Sequence, residues 1–169
     1  SPMSRGLGDV YKRQGIRVLD LSRILAGPHA AQSLSDLGAD VIKVEAPWGD
    51  DSRTWGPPFQ QGFDGGEVAS YFLSCNRGKK IVFANLKNER ERVRSLMDTV
   101  DVVIENFKPG AFDRLLGPVK PDLIVCSISG YGQEGPRRDE PAFDLTMQAR
   151  SGIMSVSYTH LTLPTNGCV

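Results

Sequence analysis

Short runs of apolar, mostly β-branched residues recur along the chain, and longer segments between them carry apolar residues at helical spacing. Such runs are typical of strands. The sequence predicts five strands: Ile16–Leu21, Asp40–Glu45, Ile81–Leu86, Asp101–Glu105 and Leu123–Ile128. The last is apolar along most of its length, which is typical of a central parallel strand covered on both faces.

The segments between these strands predict helices. Pro28 suits the first turn of a helix over His29–Leu37, and Gly38 is a typical residue just past a helix end. Three more helices are predicted: Asn88–Val100, Gly110–Leu116 and Ala142–Met154. Strand, helix and strand in such short succession favour parallel pairing. The predicted fold class is therefore α/β, with an open, Rossmann-like, doubly wound parallel sheet.

Loops rich in Gly, Pro and polar residues follow the predicted strands. Two are long, Ala46–Gly66 and Gly130–Pro141. Ligands of doubly wound sheets bind beyond the carboxyl ends of the strands. Four segments are expected at that edge: Ser22–Pro28, Glu45–Asp51, Asn106–Gly110 and Ser129–Gly135.

The two ends of the chain carry related peptides. One DNA string encodes Asp9–Gln14 on one strand and Val156–His160 on the other, and it matches a transposon end used in library preparation. Translated adapter has to be set aside before the fold is considered. Residues 1–14 and 156–169 are therefore predicted to be adapter, and residues 15–155 to be part of one α/β domain.

Charge and cysteine content argue against several classes of partner and cofactor. The chain has 20 basic and 20 acidic residues, and this balance argues against nucleic acid or an anionic membrane as a partner. No apolar run reaches membrane-spanning length. The three cysteines show neither zinc-ligand spacing nor a disulfide framework, and Cys126 is predicted to be a buried free thiol. We therefore expect no metal and a cytoplasmic location.

The segment Leu25–Pro28 follows a strand and opens a helix. Free backbone N–H groups at such a point attract phosphate or carboxylate, and Gly27 would let a ligand approach the backbone closely. The alternative is a tight turn without a ligand. This segment carries no GxGxxG dinucleotide fingerprint.

Other polar and aromatic residues allow two interpretations, one as ligand-binding residues and one as structural residues. Asn106 could hydrogen-bond a ligand, Phe107 could stack on a base and Arg114 could reach a phosphate. The residues by themselves favour the alternative of a capping Asn, a core Phe and a solvated Arg. The glycine-rich loop 130–136 could close over a substrate or be an ordinary connection. Three charged pairs are predicted to be solvated: Asp50–Asp51, Lys79–Lys80 and Arg137–Arg138.

Several segments, taken in order, resemble the family III CoA-transferases, the group that contains formyl-CoA and carnitine CoA-transferases. They cover nearly all of residues 15–155: Val18–Leu21 running on to Leu25–Pro28, Leu37–Glu45, Asn76–Lys80, Glu105–Gly110 and Ser127–Gln133. Each segment is a weak signal, and the ordered set is specific.

The resemblance implies an acyl-CoA site, with coenzyme A bound as part of the substrate. Residues that match the nucleotide end of that site are Ala84, Asn85, Leu86, Lys87, Asn106, Phe107 and Arg114. Those that match the pantetheine arm and active site are Leu25, Ala26, Gly130, Tyr131 and Gly132. The segment Asp50–Phe59 is similar to that of members that use glutarate or succinate, with Arg53 facing an acceptor carboxylate.

The resemblance also implies a mechanism and an assembly. An aspartate attacks the acyl-CoA thioester, CoA thiolate attacks the resulting anhydride, and a carboxylic acid acceptor completes the exchange. The nucleophilic Asp is expected beyond Ser155, so the chain itself is expected to be inactive. Full-length members form interlocked homodimers.

Two other functions stay open at this point. Related racemases carry a catalytic His before the Asp that matches Asp144. Here Phe143 holds that position, which disfavours racemase chemistry. The other alternative is a non-catalytic nucleotide-binding α/β module.

Overall fold

The computed structural model describes residues 15–62 and 65–157. They belong to two compact units, one that extends to Ile128 and one that starts at Ser129. The predicted adapter segment 1–14 and residues 158–169 of the second lie outside the described residues. The strands are β1 Arg17–Asp20, β2 Asp40–Glu45, β3 Phe59–Gln61, β4 Glu67–Ala69, β5 Lys80–Phe83, β6 Val102–Glu105 and β7 Ile124–Ser127. The helices are α1 Ala26–Asp36, α2 Ser70–Asn76, α3 Arg90–Met97, α4 Ala111–Leu116, α5 Asp144–Arg150 and α6 Ile153–Ser157.

Five of the strands form one parallel sheet in the order β5-β2-β1-β6-β7. In the β1–β2 pair Val18 lies opposite Val41, and in the β1–β6 pair it lies opposite Val102. From β1 the chain moves outward through β2 to β5, and it then returns to the other side of β1 with β6. This reversal is the topological switch point of a doubly wound sheet, and it confirms the predicted fold class.

Helix α1 begins at Ala26, slightly before the predicted start, and it ends at Asp36. Gly38 follows with φ of +98°, a left-handed conformation in which glycine is favoured because it has no Cβ. The N–H of Gly38 donates to the carbonyl of Ser35, and that of Ala39 donates to Leu34. The predicted helix end is therefore confirmed.

Apolar side chains cover both faces of the sheet, because successive residues of each strand point to opposite sides. The larger core joins the sheet to α3 and α4: Leu19, Leu21, Ile42, Val44, Val93, Met97, Val103, Phe112 and Leu116. The smaller core joins it to α1: Val18, Ala31, Ala39, Val41 and Ile104. Each fully buried side chain of this size contributes about 1.5–3 kcal/mol from burial.

The segment predicted as one long loop, Ala46–Gly66, contains regular structure. A short 3-10 helix spans Asp51–Thr54, and β3 pairs antiparallel with β4 in a hairpin. Helix α2 follows directly and was not predicted. It has only seven residues, too few for a clear helical period, but it buries Phe72 and Cys75 at i and i+3.

Two expectations about the last strand of the sheet are wrong. Strand β7 lies at the edge of the sheet rather than at its centre, and Ile124 is 63% exposed. Cys126 is exposed, whereas Cys75 is the buried free cysteine. Ile124 and Cys126 alternate with half-buried Val125 and Ser127 and are on the exposed face of β7, so an apolar sequence there did not indicate burial on both faces.

The second unit contains α5 and α6. Phe143 precedes α5 in extended conformation, and Asp144 lies in its first turn, so the predicted helical segment Ala142–Met154 is two short helices. Tyr131, Glu140 and Arg150 are joined by hydrogen bonds from the Arg150 guanidinium.

Within residues 15–62 and 65–157, no helix is long and apolar enough to cross a membrane. The same residues contain no cluster of three His, Cys, Asp or Glu side chains that could hold a metal ion.

Candidate functional site

The crevice at the switch point lies between the carboxyl ends of β1 and β6. The segment Leu21–Leu25 leaves β1 there, and Asn106 and Phe107 leave β6. The Asn106 side chain spans the crevice: its Oδ1 accepts from the N–H of Arg23 at 2.9 Å, and its Nδ2 donates to the carbonyl of Arg23 at 2.8 Å. The two chain segments are therefore held together on either side of the position where ligands of this fold class bind.

The amino end of α1 opens onto this crevice. Its N-cap, Leu25, makes no side-chain capping hydrogen bond, and the N–H groups of Leu25, Ala26 and Gly27 have no acceptor within the described residues. Leu25 is 46% exposed, and Ala26 is also exposed. Unpaired N–H groups at the positive end of an 11-residue helix attract an anion. The free N–H groups that the predicted anion site requires are therefore present at Leu25–Gly27, and the anion site itself stays a prediction.

The packing of α1 gives a further reason for glycine at position 27. A Cβ at this position would come closer than 3.0 Å to Cβ and Oγ of Ser22. Glycine is therefore required here because α1 packs against its own preceding loop, and the close approach of a ligand to the Gly27 backbone stays a prediction.

Replacing Gly27 with Ala is expected to lower the free energy of unfolding by about 1–3 kcal/mol, the usual cost of overpacking. Urea denaturation followed by circular dichroism measures the effect. Ser33→Ala, at an exposed position of the same helix, is the control and is expected to change stability by less than about 0.5 kcal/mol. Equal stability of the two variants would show that Ser22 moves aside without cost.

A buried ion pair lies beneath the loop that leaves β1. Lys43 of β2 and Asp50 both have side chains that are 0% exposed, and their charged atoms are 3.2 Å apart. Lys43 Nζ also donates to the carbonyl of Ser22 at 2.8 Å, and the Asp50 carboxylate accepts from the N–H of Ile24 at 3.2 Å. Asp50 was predicted to be solvated, and that prediction is wrong because the loop after β2 folds back over the end of β1.

The environment of Asp50 favours its charged form. Burial raises the pKa of Asp50, but hydrogen bonds from the side chain and backbone of Ser52 and the positive charge of Lys43 outweigh burial and hold the pKa below its ordinary value. The carboxylate is therefore ionised at neutral pH and can accept several hydrogen bonds at once.

A second buried ion pair joins β1 to the segment after α2. Lys79 Nζ lies 2.8 Å from the carboxylate of Asp20, and both side chains are 0% exposed. Lys79 also donates to the carbonyl of Pro28 at 2.7 Å and to the side chain of Asn76 at 3.0 Å. The prediction that Lys79 is solvated is wrong, whereas its neighbour Lys80 is exposed.

Arg53 has an internal carboxylate partner. Its guanidinium binds both carboxylate oxygens of Glu45, at 2.7 and 2.9 Å, and it lies 3.9 Å from the centre of the Phe72 ring. Glu45 also accepts from the N–H of Asp50 at 3.1 Å. Arg53 therefore forms an internal ion pair, and its contact with an acceptor carboxylate stays a prediction.

The residues expected at the nucleotide end of the site follow β5 and β6, which end at the same edge of the sheet. Leu86 and Phe107 are half-buried and pack against the larger core, and Lys87 is exposed. The Asn85 side chain accepts from the N–H of Lys87, while the N–H of Asn85 donates to Glu89. Buried Ala84 closes the end of β5 by donating its N–H to Glu45.

Four more predicted residues belong to other segments of the chain. Arg114 is exposed on α4, and its side chain has no partner among the described residues. Gly130 and Gly132 flank Tyr131 in the second unit, where Gly132 has φ of +82°. The structure therefore brings Leu25, Ala26, Asn106 and Phe107 together at the crevice, with Ala84–Lys87 two strands away at the same edge.

Sequence reasoning missed the buried charges Asp20, Lys43 and Glu45. A signal existed in the lysine at the centre of the apolar run Val41–Glu45. A charged residue with apolar neighbours on both sides in a central strand is buried, and a buried charge requires a partner.

Comparisons with known proteins agree with this architecture. The sequence profile of CoA-transferase family III matches residues 14–166. A succinate–glutarate CoA-transferase from Agrobacterium fabrum is 48% identical over 153 residues, which is 85% of this chain and 38% of that protein. The human succinyl-CoA:glutarate CoA-transferase is 41% identical over 170 residues, 95% of this chain and 36% of its own length.

Solved structures give the same result. A CaiB/BaiF family protein from Brucella suis superposes with a TM-score of 0.79 at 50% identity, covering 83% of this chain and 39% of that one. A hypothetical protein from Mycobacterium tuberculosis gives 0.74 at 42% identity, over 85% of this chain and 40% of that one. The chain spans about two fifths of the length of these relatives. On the extent of these matches, the chain belongs to CoA-transferase family III.

Proposed function

We propose that residues 15–155 form the CoA-binding part of an enzyme that transfers CoA between an acyl-CoA and a carboxylic acid. The observation that carries the proposal is the crevice at the switch point, where three unpaired N–H groups of α1 lie beside Asn106 in a member of this family. Coenzyme A brings a pyrophosphate, a 3′-phosphate and a thioester carbonyl, all of which accept hydrogen bonds. A site made of backbone donors and exposed cations suits such a ligand.

The proposed ligand path follows the carboxyl edge of the sheet. The nucleotide end lies on the side of α3 and α4, against Leu86 and Phe107, with exposed Lys87 and Arg114 for the phosphates. The acyl end lies at the amino end of α1, where Leu25 and Ala26 are exposed. Gly130, Tyr131 and Gly132 belong to the second unit and are proposed to bind acyl-CoA because they match the family pattern.

The proposed chemistry is acyl transfer through a carboxylate of the enzyme. The carboxylate oxygen attacks the thioester carbonyl, the C–S bond breaks, and CoA leaves as a thiolate. The thiolate then attacks the enzyme carbonyl of the anhydride and releases the donor acid, which leaves CoA bound to the enzyme as a thioester. The acceptor acid then reacts with this enzyme thioester and takes over the CoA. The nucleophile is expected outside residues 15–155, so this part of the enzyme contributes binding and oxyanion stabilisation.

Dicarboxylic acids are the proposed acceptor class. Relatives are named as succinate–glutarate, succinyl-CoA:mesaconate and acetyl-CoA:oxalate CoA-transferases. Arg53 is bound to Glu45 through two of its nitrogens and keeps 24% side-chain exposure, so its contact with the second carboxylate stays a prediction.

Arg114→Ala is expected to raise the dissociation constant for CoA about tenfold, because a hydrogen bond to a charged group contributes roughly 1.5–3 kcal/mol. Isothermal titration of CoA into the 169-residue chain measures this. Lys120→Ala is the control. Lys120 precedes β7, at the amino ends of the strands, and its removal is expected to leave the dissociation constant unchanged. Equal affinities for the Arg114→Ala variant and wild type would remove Arg114 from the site, and a wild-type chain that binds no CoA would contradict the proposed function.

A further inference from the structure

We infer that Asp50 is a positioning residue of the CoA site, which acts with Lys43 and Asn106 to fix the loop between β1 and α1 and so to aim the free N–H groups of α1. The inference rests on the proposed CoA site. Asp50 itself is buried and lies behind the loop, so it acts through Ile24 and does not touch the ligand.

Three consecutive residues of the loop are each held by a different polar side chain. The carbonyl of Ser22 accepts from Lys43 Nζ at 2.8 Å, both backbone groups of Arg23 bind the Asn106 amide, and the N–H of Ile24 donates to Asp50. These side chains come from β2, from the loop after β2 and from the end of β6. A backbone restrained from three directions cannot shift as a unit without breaking several hydrogen bonds at once.

The conformation of Ile24 explains why such restraint is needed. Its φ is +73°, the one positive value of a non-glycine residue in the described part of the chain. A β-branched residue seldom adopts this left-handed conformation, because its Cβ crowds the following carbonyl. Strain of this kind persists where surrounding structure enforces it, and here the enforcing contact on Ile24 is the Asp50 carboxylate.

The strained turn decides where α1 begins. Leu25 follows Ile24 directly and is the N-cap of the helix, so the direction of the Leu25, Ala26 and Gly27 N–H groups depends on the φ of Ile24. If Ile24 relaxed to an ordinary negative φ, the peptide groups before α1 would rotate, and these donors would turn away from the crevice. A CoA site built on them would then lose its alignment without losing any residue.

The neighbouring ion pair supplies a matched control. Arg53 and Glu45 are also largely buried, at 24% and 1% side-chain exposure, and they also join β2 to the loop that follows. Arg53, however, makes no hydrogen bond or ion pair with residues 22–25 among the described residues. Removing Arg53 breaks a buried pair, and the Asp50–Ile24 hydrogen bonds are expected to stay in place.

Hydrogen–deuterium exchange of the 169-residue chain, resolved to single amides by NMR and recorded without ligand, tests the inference. Asp50→Ala is expected to speed exchange of the Ile24 amide at least tenfold relative to the β1 amides, whereas Arg53→Ala is expected to leave this ratio within twofold. Asn106→Ala, at a half-buried position, provides a second test if Asp50→Ala fails to fold, and it should speed exchange of the Arg23 amide by a similar factor.

Binding of CoA to the same variants then tests the consequence. Asp50→Ala is expected to weaken CoA binding at least tenfold. Arg53→Ala is expected to weaken it less than twofold, although the two variants lose the same thermal stability. Equal effects of both variants on exchange and affinity would show that Asp50 has only a structural role and would overturn the inference. If the wild-type chain binds no CoA, the proposed function fails, and the exchange ratio at Ile24 still decides whether Asp50 fixes the loop.

Discussion

Replacing Lys79 with Met is expected to lower the free energy of unfolding by about 3–5 kcal/mol, because Asp20 would remain charged and buried without its partner. Lys79 Nζ is bound by Asp20, the carbonyl of Pro28 and Asn76. Met fills a similar volume but donates no hydrogen bond, so three acceptors lose a donor at once. Thermal and urea denaturation measure the change.

Two variants test that explanation. Lys80→Met removes the adjacent lysine, whose pair with Asp40 is 70% and 41% exposed, and is expected to cost less than about 1 kcal/mol. The double change Asp20→Asn with Lys79→Met removes both charges and is expected to recover much of the lost stability. A cost at Lys79 no larger than the cost at Lys80 would contradict the assignment of a buried pair.

The stability of the wild type should also depend on pH through Lys79. Burial lowers the pKa of Lys79, and the negative charge of Asp20 only partly offsets this. Because the folded pKa lies below the unfolded one, the folded chain releases this proton first as the pH rises. The contribution of Lys79 to stability therefore increases with pH between the folded pKa and the ordinary lysine value, and it falls as the pH drops through the folded pKa. Lys79→Met should abolish this part of the pH dependence.

Arg53→Ala is expected to lower the free energy of unfolding by about 2–3 kcal/mol. The change removes two charge-assisted hydrogen bonds to Glu45, each among the stronger kind, and the contact of the guanidinium with the Phe72 ring. Denaturation in urea measures the loss. Arg77→Ala is the control, because its pair with Asp36 is 69% and 47% exposed and is expected to contribute 0 to about 1 kcal/mol. If both variants lost the same stability, the buried Glu45 would have another partner in the variant.

The parts of the fold that depend on local pattern could be predicted from the sequence. Short runs of apolar, mostly β-branched residues predicted the five strands of the main sheet, and Pro28 with Gly38 indicated the limits of α1. Helix α2 and the β3–β4 hairpin could not be predicted in this way, because each is too short to show its own period. Their positions depend on contacts with the sheet, such as Phe72 beneath Arg53, which residues far apart in sequence create.

In the candidate site, too, the local features could be predicted from the sequence and the long-range contacts could not. Leu25–Pro28 was predicted because strand, turn and helix are adjacent in sequence. The side chains that hold this segment, Lys43, Asp50 and Asn106, are up to about 80 residues away along the chain, and their pairing follows from the strand order. A short charged pair such as Asp50–Asp51 looks solvated in sequence, and only the fold shows that Asp50 is buried while Asp51 is exposed.

The outer side of β7 has a consequence for how the protein behaves in concentrated solution. In the described part of the chain this strand ends the sheet, and its residues Ile124–Ser127 include no charge to discourage a neighbouring chain. Edge strands of this kind act as templates for adding a strand from another molecule, and exposed Ile124 would favour such stacking. The thiol of Cys126 lies on the same strand and is exposed, so two chains paired along β7 under oxidising conditions could become cross-linked. Self-association is therefore expected to begin at β7. Reducing agent and the substitution Ile124→Lys are expected to limit it.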